Sequence, residues 1–478
     1  MTETFTPLRL GTTRGRGALA ATVLGSGMAF LDGTIVNVAA KHIGTDFGSS
    51  FAALQWVLNA YTLTLAALIL LGGSLGDRLG RRRVFLIGVG WFAAASLACA
   101  VAPNVGVLIA ARAVQGIGGA LMTPGSLAII SSVFAEEDRA AAVGAWSGLS
   151  GVSTALGPLL GGWLVQSFSW RWAFAINLPI AAAVVITGLR YVPETRATTV
   201  PRRLDVMGTV LIALGLGGLT FGTTLAGSDG WTASAWAATL VGAAFVIAFL
   251  LTEWREKHPL VPLGLFANRT FSGTNLMTLC TYAALGAMFF VLVLDLQVAA
   301  GYGALAAGLA TLPMTIVLLL GSARSGALAA RIGPRLQLTV GPLLAGAGVL
   351  LLARIDAHHH GYLVNVFPGV LLFAFGMTTL VAPLTATVMS SAPQDQVGIA
   401  SGVNNAIARA GSLLAVAVLP TIAGLHGDAY RNVSTMVHGF RMVAMSCVGL
   451  FVISAVIIAL TVRNSERVLT SATPAPEG

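Results

Sequence analysis

The 478-residue sequence predicts an all-α membrane protein: two six-helix bundles with two further helices inserted between them, fourteen transmembrane helices in all. Three observations predict it. Hydrophobic residues make up 56% of the chain and charged residues 9%, and a soluble fold of this length needs far more charge to cover its surface. The apolar residues run in continuous Leu/Ala/Gly/Val-rich blocks of about 20 or more, long enough to cross about 30 Å of hydrocarbon at about 1.5 Å per residue, and they lack the alternation of a membrane barrel. A stretch of the first half also recurs in the second.

The blocks lie at 18–40, 54–75, 84–102, 105–134, 140–166 and 173–192, then at 205–227 and 233–254. Six more follow at 271–299, 304–330, 338–353, 362–391, 397–424 and 438–462. Residues 1–17 are polar, with Arg9, Arg14 and Arg16, and no small-residue cleavage site closes the first block, which reads as a retained helix and not as a signal peptide. An even number of spans puts both termini on one side. The loops after even-numbered spans hold most of the basic residues, among them Arg78, Arg81, Arg82, Arg83, Arg202, Arg203, Arg255, Lys257, Arg331 and Arg335. The positive-inside rule therefore places both termini in the cytoplasm. The net charge of +9 is explained by this asymmetry and not by nucleic-acid binding. Trp170, Trp172, Trp231 and Trp236 are expected in an aromatic belt at the outer interface.

The internal repeat divides the chain. Gly73-Ser-Leu-Gly-Asp-Arg-Leu-Gly-Arg-Arg returns as Gly326-Ala-Leu-Ala-Ala-Arg-Ile-Gly-Pro-Arg, and Ser147-Gly148…Gly157 returns as Ser401-Gly402…Gly411. The organisation that follows is a tail over 1–17, a bundle over 18–192, a linker with two extra helices over 193–270, a second bundle over 271–462 and a tail over 463–478. Parallel halves of six spans place a binding site between them near mid-membrane.

In the loop Gly73-Ser74-Leu75-Gly76-Asp77-Arg78-Leu79-Gly80-Arg81-Arg82-Arg83, a membrane anchor explains the arginines alone. It explains neither the regular glycines nor Asp77. Small residues let helix ends approach, and Asp77 can pair with an arginine or cap a helix, making a polar latch specific to one access state. Gly73, Asp77, Arg78, Gly80 and Arg82 are its expected members, with Arg331 in the repeat. This loop resembles the signature of the major facilitator superfamily. Three further stretches, Leu31-Asp32-Gly33-Thr34-Ile35-Val36-Asn37-Val38-Ala39, Arg112-Ala-Val-Gln115-Gly116-Ile-Gly118-Gly119-Ala and Gly148…Gly157-Pro158-Leu-Leu-Gly161-Gly162, resemble its fourteen-span drug:proton antiporter branch, as does Asp205-Val-Met-Gly208. The resemblance implies the major facilitator fold and export of small lipophilic or cationic compounds in exchange for protons, across a bacterial cytoplasmic membrane. It departs from the pattern after Ala39, where Ala40 and Lys41 follow.

Asp32 and Arg112 carry opposite charges at similar depth, about 12 and 10 Å from the outer ends of their blocks, and form the expected proton-coupling pair. Asp295, near the outer end of its block where water is close, is a second acid candidate. Asn37, Gln115, Asn404, Asn405 and Arg409 are expected to line the substrate cavity. Gly148, Gly157, Pro158, Gly161 and Gly162 form the antiporter-type helix, where Pro158 kinks the chain and glycines permit close packing, a seal between the halves. Cys99, Cys280 and Cys447 read as core residues, His358-His359-His360 as a solvated loop, and the Asn432-Val-Ser434 glycosylation pattern is discounted. No phosphate-binding Gly-Lys-Ser/Thr context surrounds Lys41 or Lys257, which tells against an ATP-driven pump. The expected partners are a small-molecule substrate, protons and the lipid bilayer. No cofactor, metal, enzymatic activity or nucleic acid is expected, and the protein is read as a monomer driven by the proton gradient. Uptake symport of a metabolite and export of a lipid are the alternative functions.

Overall fold

The computed structural model describes residues 7–196, 205–256, 259–356, 358–393 and 396–463. Arg202, Arg203 and Lys257 lie outside the described residues, as do residues 1–6 of the predicted N-terminal tail and most of the C-terminal one. Among the described residues, fourteen helices are long and apolar enough to cross a membrane. They are α1 (Thr13–Phe47), α2 (Phe51–Leu79), α3 (Arg81–Ala100), α4 (Val105–Val133), α5 (Glu136–Ser167), α6 (Trp172–Tyr191), α7 (Val206–Asp229), α8 (Ala233–Arg255), α9 (Arg269–Val298), α10 (Ala304–Ile332), α11 (Pro334–Leu352), α12 (Tyr362–Ser390), α13 (Val397–Ile422) and α14 (Val433–Thr461).

Polar caps set many helix starts. Thr12, Ser50, Asn104, Asp205, Thr232, Asn268 and Asn432 each accept a backbone N–H from the first turn of the helix that follows, satisfying donors that lipid cannot. Helix α1 runs past the predicted end at residue 40 and stops only at Gly48, whose φ of +60° suits glycine. Lys41 is therefore helical, and Asp32 sits about 22 Å from the helix end, deeper than the apolar block suggested. The break in α10 at Thr311 precedes Pro313, which has no N–H to continue the ladder.

The two halves repeat one packing scheme. In the first, α1 packs against α5 and α6, α4 against α2 and α3, and α3 against α6. In the second, α9 packs against α13 and α14, α12 against α10 and α11, and α11 against α14. Helices α7 and α8 pair with each other, and α7 leans on α2 and α13, one helix from each half. Ala66, Leu216 and Leu413 form the small core of that three-way junction.

Hydrogen bonds between the halves gather at the face opposite the basic α2–α3 loop, called the far face below. Lys41 Nζ donates to the Gln297 carbonyl at 2.6 Å, and Gln297 Nε2 donates back to the Val38 carbonyl at 3.2 Å. The Tyr430 hydroxyl reaches the carbonyls of Gly44 and Ser49 at 3.0 and 2.6 Å, and Gln55 Nε2 that of Val416 at 2.7 Å. Glycines complete the closure. A Cβ on Gly162 of α5 would stand 2.6 Å from Leu305 Cα, and one on Gly308 of α10 would collide with the Pro158 carbonyl. Gly157 and Gly161 admit α1 in the same way, against Leu31, Thr34 and Ile35, whereas Gly148 faces open space. Of the predicted belt, Trp172, Trp231 and Trp236 are exposed, but Trp170 is buried and donates to Asp46 at 2.9 Å.

Candidate functional site

A dry polar knot lies inside the first half. Asp32 of α1 is fully buried, as are Ser96 of α3, Gln115 of α4 and Asn177 of α6, and Arg112 of α4 is 1% exposed. Arg112 Nη1 donates to Asp32 Oδ2 at 2.5 Å and to Gln115 Oε1 at 2.6 Å. The other carboxylate oxygen, Oδ1, accepts from Gln115 Nε2 at 2.8 Å and from Asn177 Nδ2 at 2.9 Å. Ser96 Oγ sits behind them at 2.8 Å from Gln115 Nε2 and 3.2 Å from Asn177 Nδ2. Arg112 Nε donates to the Val57 carbonyl of α2 at 3.0 Å, and its guanidinium carbon stands 4.4 Å from the Tyr61 ring centre and 5.7 Å from that of Phe174. The knot thus ties α1, α2, α3, α4 and α6 together through one charge pair. A charged pair so far from water is tolerable only when its hydrogen-bonding capacity is filled in this way.

Sequence patterning brought Asp32 and Arg112 to one depth, and the structure places them in contact. Gln115, expected to line the cavity, is instead fully buried in the knot, because its amide bridges Asp32 to Ser96. Asp295 also differs from expectation. It is fully buried rather than near water, 3 residues before the end of α9, and neither carboxylate oxygen has a hydrogen-bond partner. It stands apart from the knot, in the other half. Asn177, Ser96 and Tyr61 escaped the sequence reading. Ser96 and Asn177 are lone polar groups in apolar blocks, the one signal that pointed to them, whereas Tyr61 stands among Asn59, Thr62 and Thr64.

On the second half, α13 presents Asn404, Asn405 and Arg409. Asn404 Nδ2 turns inward to Asn275 Oδ1 at 3.0 Å and Thr278 Oγ1 at 2.8 Å, tying α13 to α9. Asn405 is exposed and accepts Arg409 Nε at 2.9 Å. Asn37, on α1, is partly buried and leaves its Oδ1 without a partner.

The predicted latch is local. Asp77 pairs with Arg81, one turn on, at 2.8 Å, rather than with a group of the other half. Arg82 Nη1 donates to the Val192 carbonyl at 3.0 Å, and Glu194 accepts the backbone N–H groups of Arg82 and Arg83, each at 3.1 Å. Glu194 therefore caps α3, joining the α2–α3 loop to the segment after α6. Gly80 makes this possible: its φ is +115°, and a side chain there would meet the Glu194 carboxylate. Gly73 packs on Pro124 of α4, Arg78 is partly buried at the end of α2, and Arg331 at the repeat position is exposed.

A family model for the major facilitator superfamily matches residues 22–204 and 195–416. The chain belongs to the major facilitator superfamily. The tetracenomycin C resistance and export protein of Streptomyces glaucescens is 35% identical over 87% of this chain and 77% of its own length. The puromycin resistance protein of Streptomyces alboniger is 34% identical over 90% and 88%. Among solved structures, a bacterial homologue of the human lysosomal transporter Spinster, inward-facing and unoccupied, superposes with a TM-score of 0.64 at 17% identity over 98% of this chain and 100% of that one. A peptide transporter of the POT family gives 0.68 at 14% over 95% and 96%. These two establish the fold. The chain is a multi-pass transporter, and the two-bundle, fourteen-helix architecture read from the sequence is the one observed.

Proposed function

We propose that this transporter exports small, partly lipophilic compounds in exchange for protons, as the resistance and export names of its relatives suggest. In this reading the basic face is cytoplasmic, both termini lie there, and the membrane is the bacterial cytoplasmic membrane. It works as a monomer with no cofactor and carries out no covalent chemistry.

The observation that carries the reading is the buried Asp32–Arg112 pair with its ring of amides. A proton and Arg112 compete for the same carboxylate oxygen. Protonation of Oδ2 removes the charge that holds Arg112, and Arg112 in turn holds the Val57 carbonyl of α2. One proton thus loosens contacts among α1, α2 and α4, which biases a rigid-body equilibrium rather than acting at a distance. In this reading the bonds clustered at the far face belong to a cytoplasm-open state, in which substrate loads from inside.

The test is gradient-driven accumulation in inverted membrane vesicles, across a panel of antibiotics and dyes. Wild-type vesicles accumulate substrate under an inward-acid gradient and Asp32→Asn vesicles do not, although Asp32→Asn protein still binds. Accumulation in right-side-out vesicles instead would establish uptake symport. Equal proton release by wild type and Asp32→Asn on adding substrate in liposomes would move the coupling role to another acid.

A further inference from the structure

Arg409 is a cation without a counter-charge at the centre of the molecule. It lies 12 residues from the start of α13 and 13 from its end, about 18 Å of helix on either side. Among the described residues its guanidinium Nε donates to the neutral Asn405 Oδ1, and no carboxylate pairs with it. The buried acid of the first half, Asp32, is already committed to Arg112 at 2.5 Å and sealed from water. Asp295 is sealed in the second half, 3 residues from the far-face end of α9. The elements packed on α13 bring no other charge to mid-depth. On α2 the charged side chains are Asp77 and Arg78 at the basic end, on α7 Asp229 at the far end, on α9 Arg269 and Asp295 near its ends, on α14 Arg441 near the far face, and α12 carries none.

Two phenols lie near this guanidinium, one from each half. Tyr61 of α2 and Tyr282 of α9 are the groups that interact with it electrostatically. The Tyr61 hydroxyl is buried and has no hydrogen-bond partner. The other side of that ring is occupied by Arg112, 4.4 Å from its centre. Along α13 toward the basic face, Asn405 and Gly398 continue the same helix face and are exposed, so the approach to Arg409 is from the side where the halves are not hydrogen-bonded at the far-face seal. An uncompensated charge at this depth costs several kcal/mol, and natural membrane proteins retain one where a ligand or water supplies the missing partner.

The geometry points to an anion-selecting subsite: Arg409, with Asn405, Tyr61 and Tyr282, receives the carboxylate or ionised phenol of an aromatic substrate. Arg409 supplies the charge and a planar set of donors, Asn405 orients it through Nε, the Tyr61 hydroxyl is a donor in reserve, and the tyrosine rings border an aromatic body. The inference rests on the transporter reading but narrows it, since that reading leaves substrate charge open.

Fluorescein and rhodamine 123 share a three-ring xanthene core and differ in charge, anionic and cationic at neutral pH. Binding of each to the purified full chain in detergent is measured by fluorescence anisotropy. Wild type is expected to bind fluorescein roughly tenfold or more tightly than rhodamine 123, the size of one charge-assisted bond. Arg409→Gln, which keeps hydrogen-bonding capacity, should lose that preference by roughly tenfold, and Arg409→Lys should retain most of it. The wild-type comparison needs no variant to fold. Preference for rhodamine 123, no fluorescein binding, or equal fluorescein affinity in wild type and a monodisperse Arg409→Gln would each overturn the inference. Proton-driven vesicle uptake separates the two readings. Uptake of rhodamine 123 alone would leave export standing and remove the anion subsite, whereas Arg409-dependent fluorescein binding without any gradient-driven uptake would do the reverse.

Discussion

Neutralising the two charges of the knot separately and together tests whether it is one coupled unit. In Arg112→Gln, Asp32 keeps the amides of Gln115 and Asn177 but loses its counter-charge; in Asp32→Asn, Arg112 keeps Gln115 and the Val57 carbonyl. Both charged groups are at most 1% exposed, so water cannot replace the lost partner. Breaking a buried pair from one side costs about 3–5 kcal/mol. The double variant leaves no buried charge and loses mainly hydrogen bonds, about 1–2 kcal/mol in all. Additive effects would total roughly 6–10 kcal/mol, so the cycle predicts a coupling of roughly 4 kcal/mol or more. The assay is SDS titration of the purified protein in mixed micelles, followed by far-ultraviolet circular dichroism. All three variants should fail to drive export, because none can exchange a proton against Arg112. A double variant as unstable as the two singles added together would refute the coupling.

Four further outcomes follow from other parts of the molecule. Asp77→Ala should slow transport while leaving protein in the membrane, and Glu194→Gln should lower stability by about 1 kcal/mol through the weakened α3 cap; vesicle flux and SDS titration check the two. In the α11–α12 loop, the backbone amides of His359 and His358 hold the Asp356 carboxyl down to about 2. Its contribution is therefore present above the ordinary value of about 3.9 and lost as pH falls through about 2, so those two amides should be protected from hydrogen exchange at pH 5 and released near pH 2. If an anion leaves as a proton enters, both movements carry positive charge inward, and an inside-negative potassium diffusion potential should accelerate export from liposomes even without a pH gradient.

The fold was legible because lipid imposes a strong rule: each span must be a long apolar helix, and the offset between Gly73 and Gly326 exposed the repeat. Helix ends were less legible. The apolar block that contains Asp32 ends at Ala40, yet the helix continues through Lys41 because that ammonium reaches the Gln297 carbonyl of the other half. The pair of Asp32 with Arg112 could be read because opposite charges in lipid must meet. The roles of Gln115 and Asp295 could not, since depth in a span does not say which way a side chain turns. Glu194 was invisible for a different reason. Its partners are backbone N–H groups at the start of α3, which leave no mark on a sequence.

Proton and anion attract, so charge alone cannot make them exclude each other as antiport demands. Exclusion has to come from access. With the far face closed, Asn405 and Arg409 are reachable while Asp32 is sealed, both of its oxygens filled by Arg112, Gln115 and Asn177. On the proposed reading, substrate can load in this state and a proton cannot. Reopening the far face requires parting Gly162 from Leu305 and Tyr430 from Gly44, contacts made by α1, α5 and α10. Helix α1 carries Asp32, so the motion that opens the far face also pulls on the knot. Tyr61 completes the connection, because its ring bears on Arg112 and lies near Arg409. On the proposed reading, a substrate drawn to Arg409 would lie near the ring that stacks on the charge a proton must displace, and the two loads would act on one element.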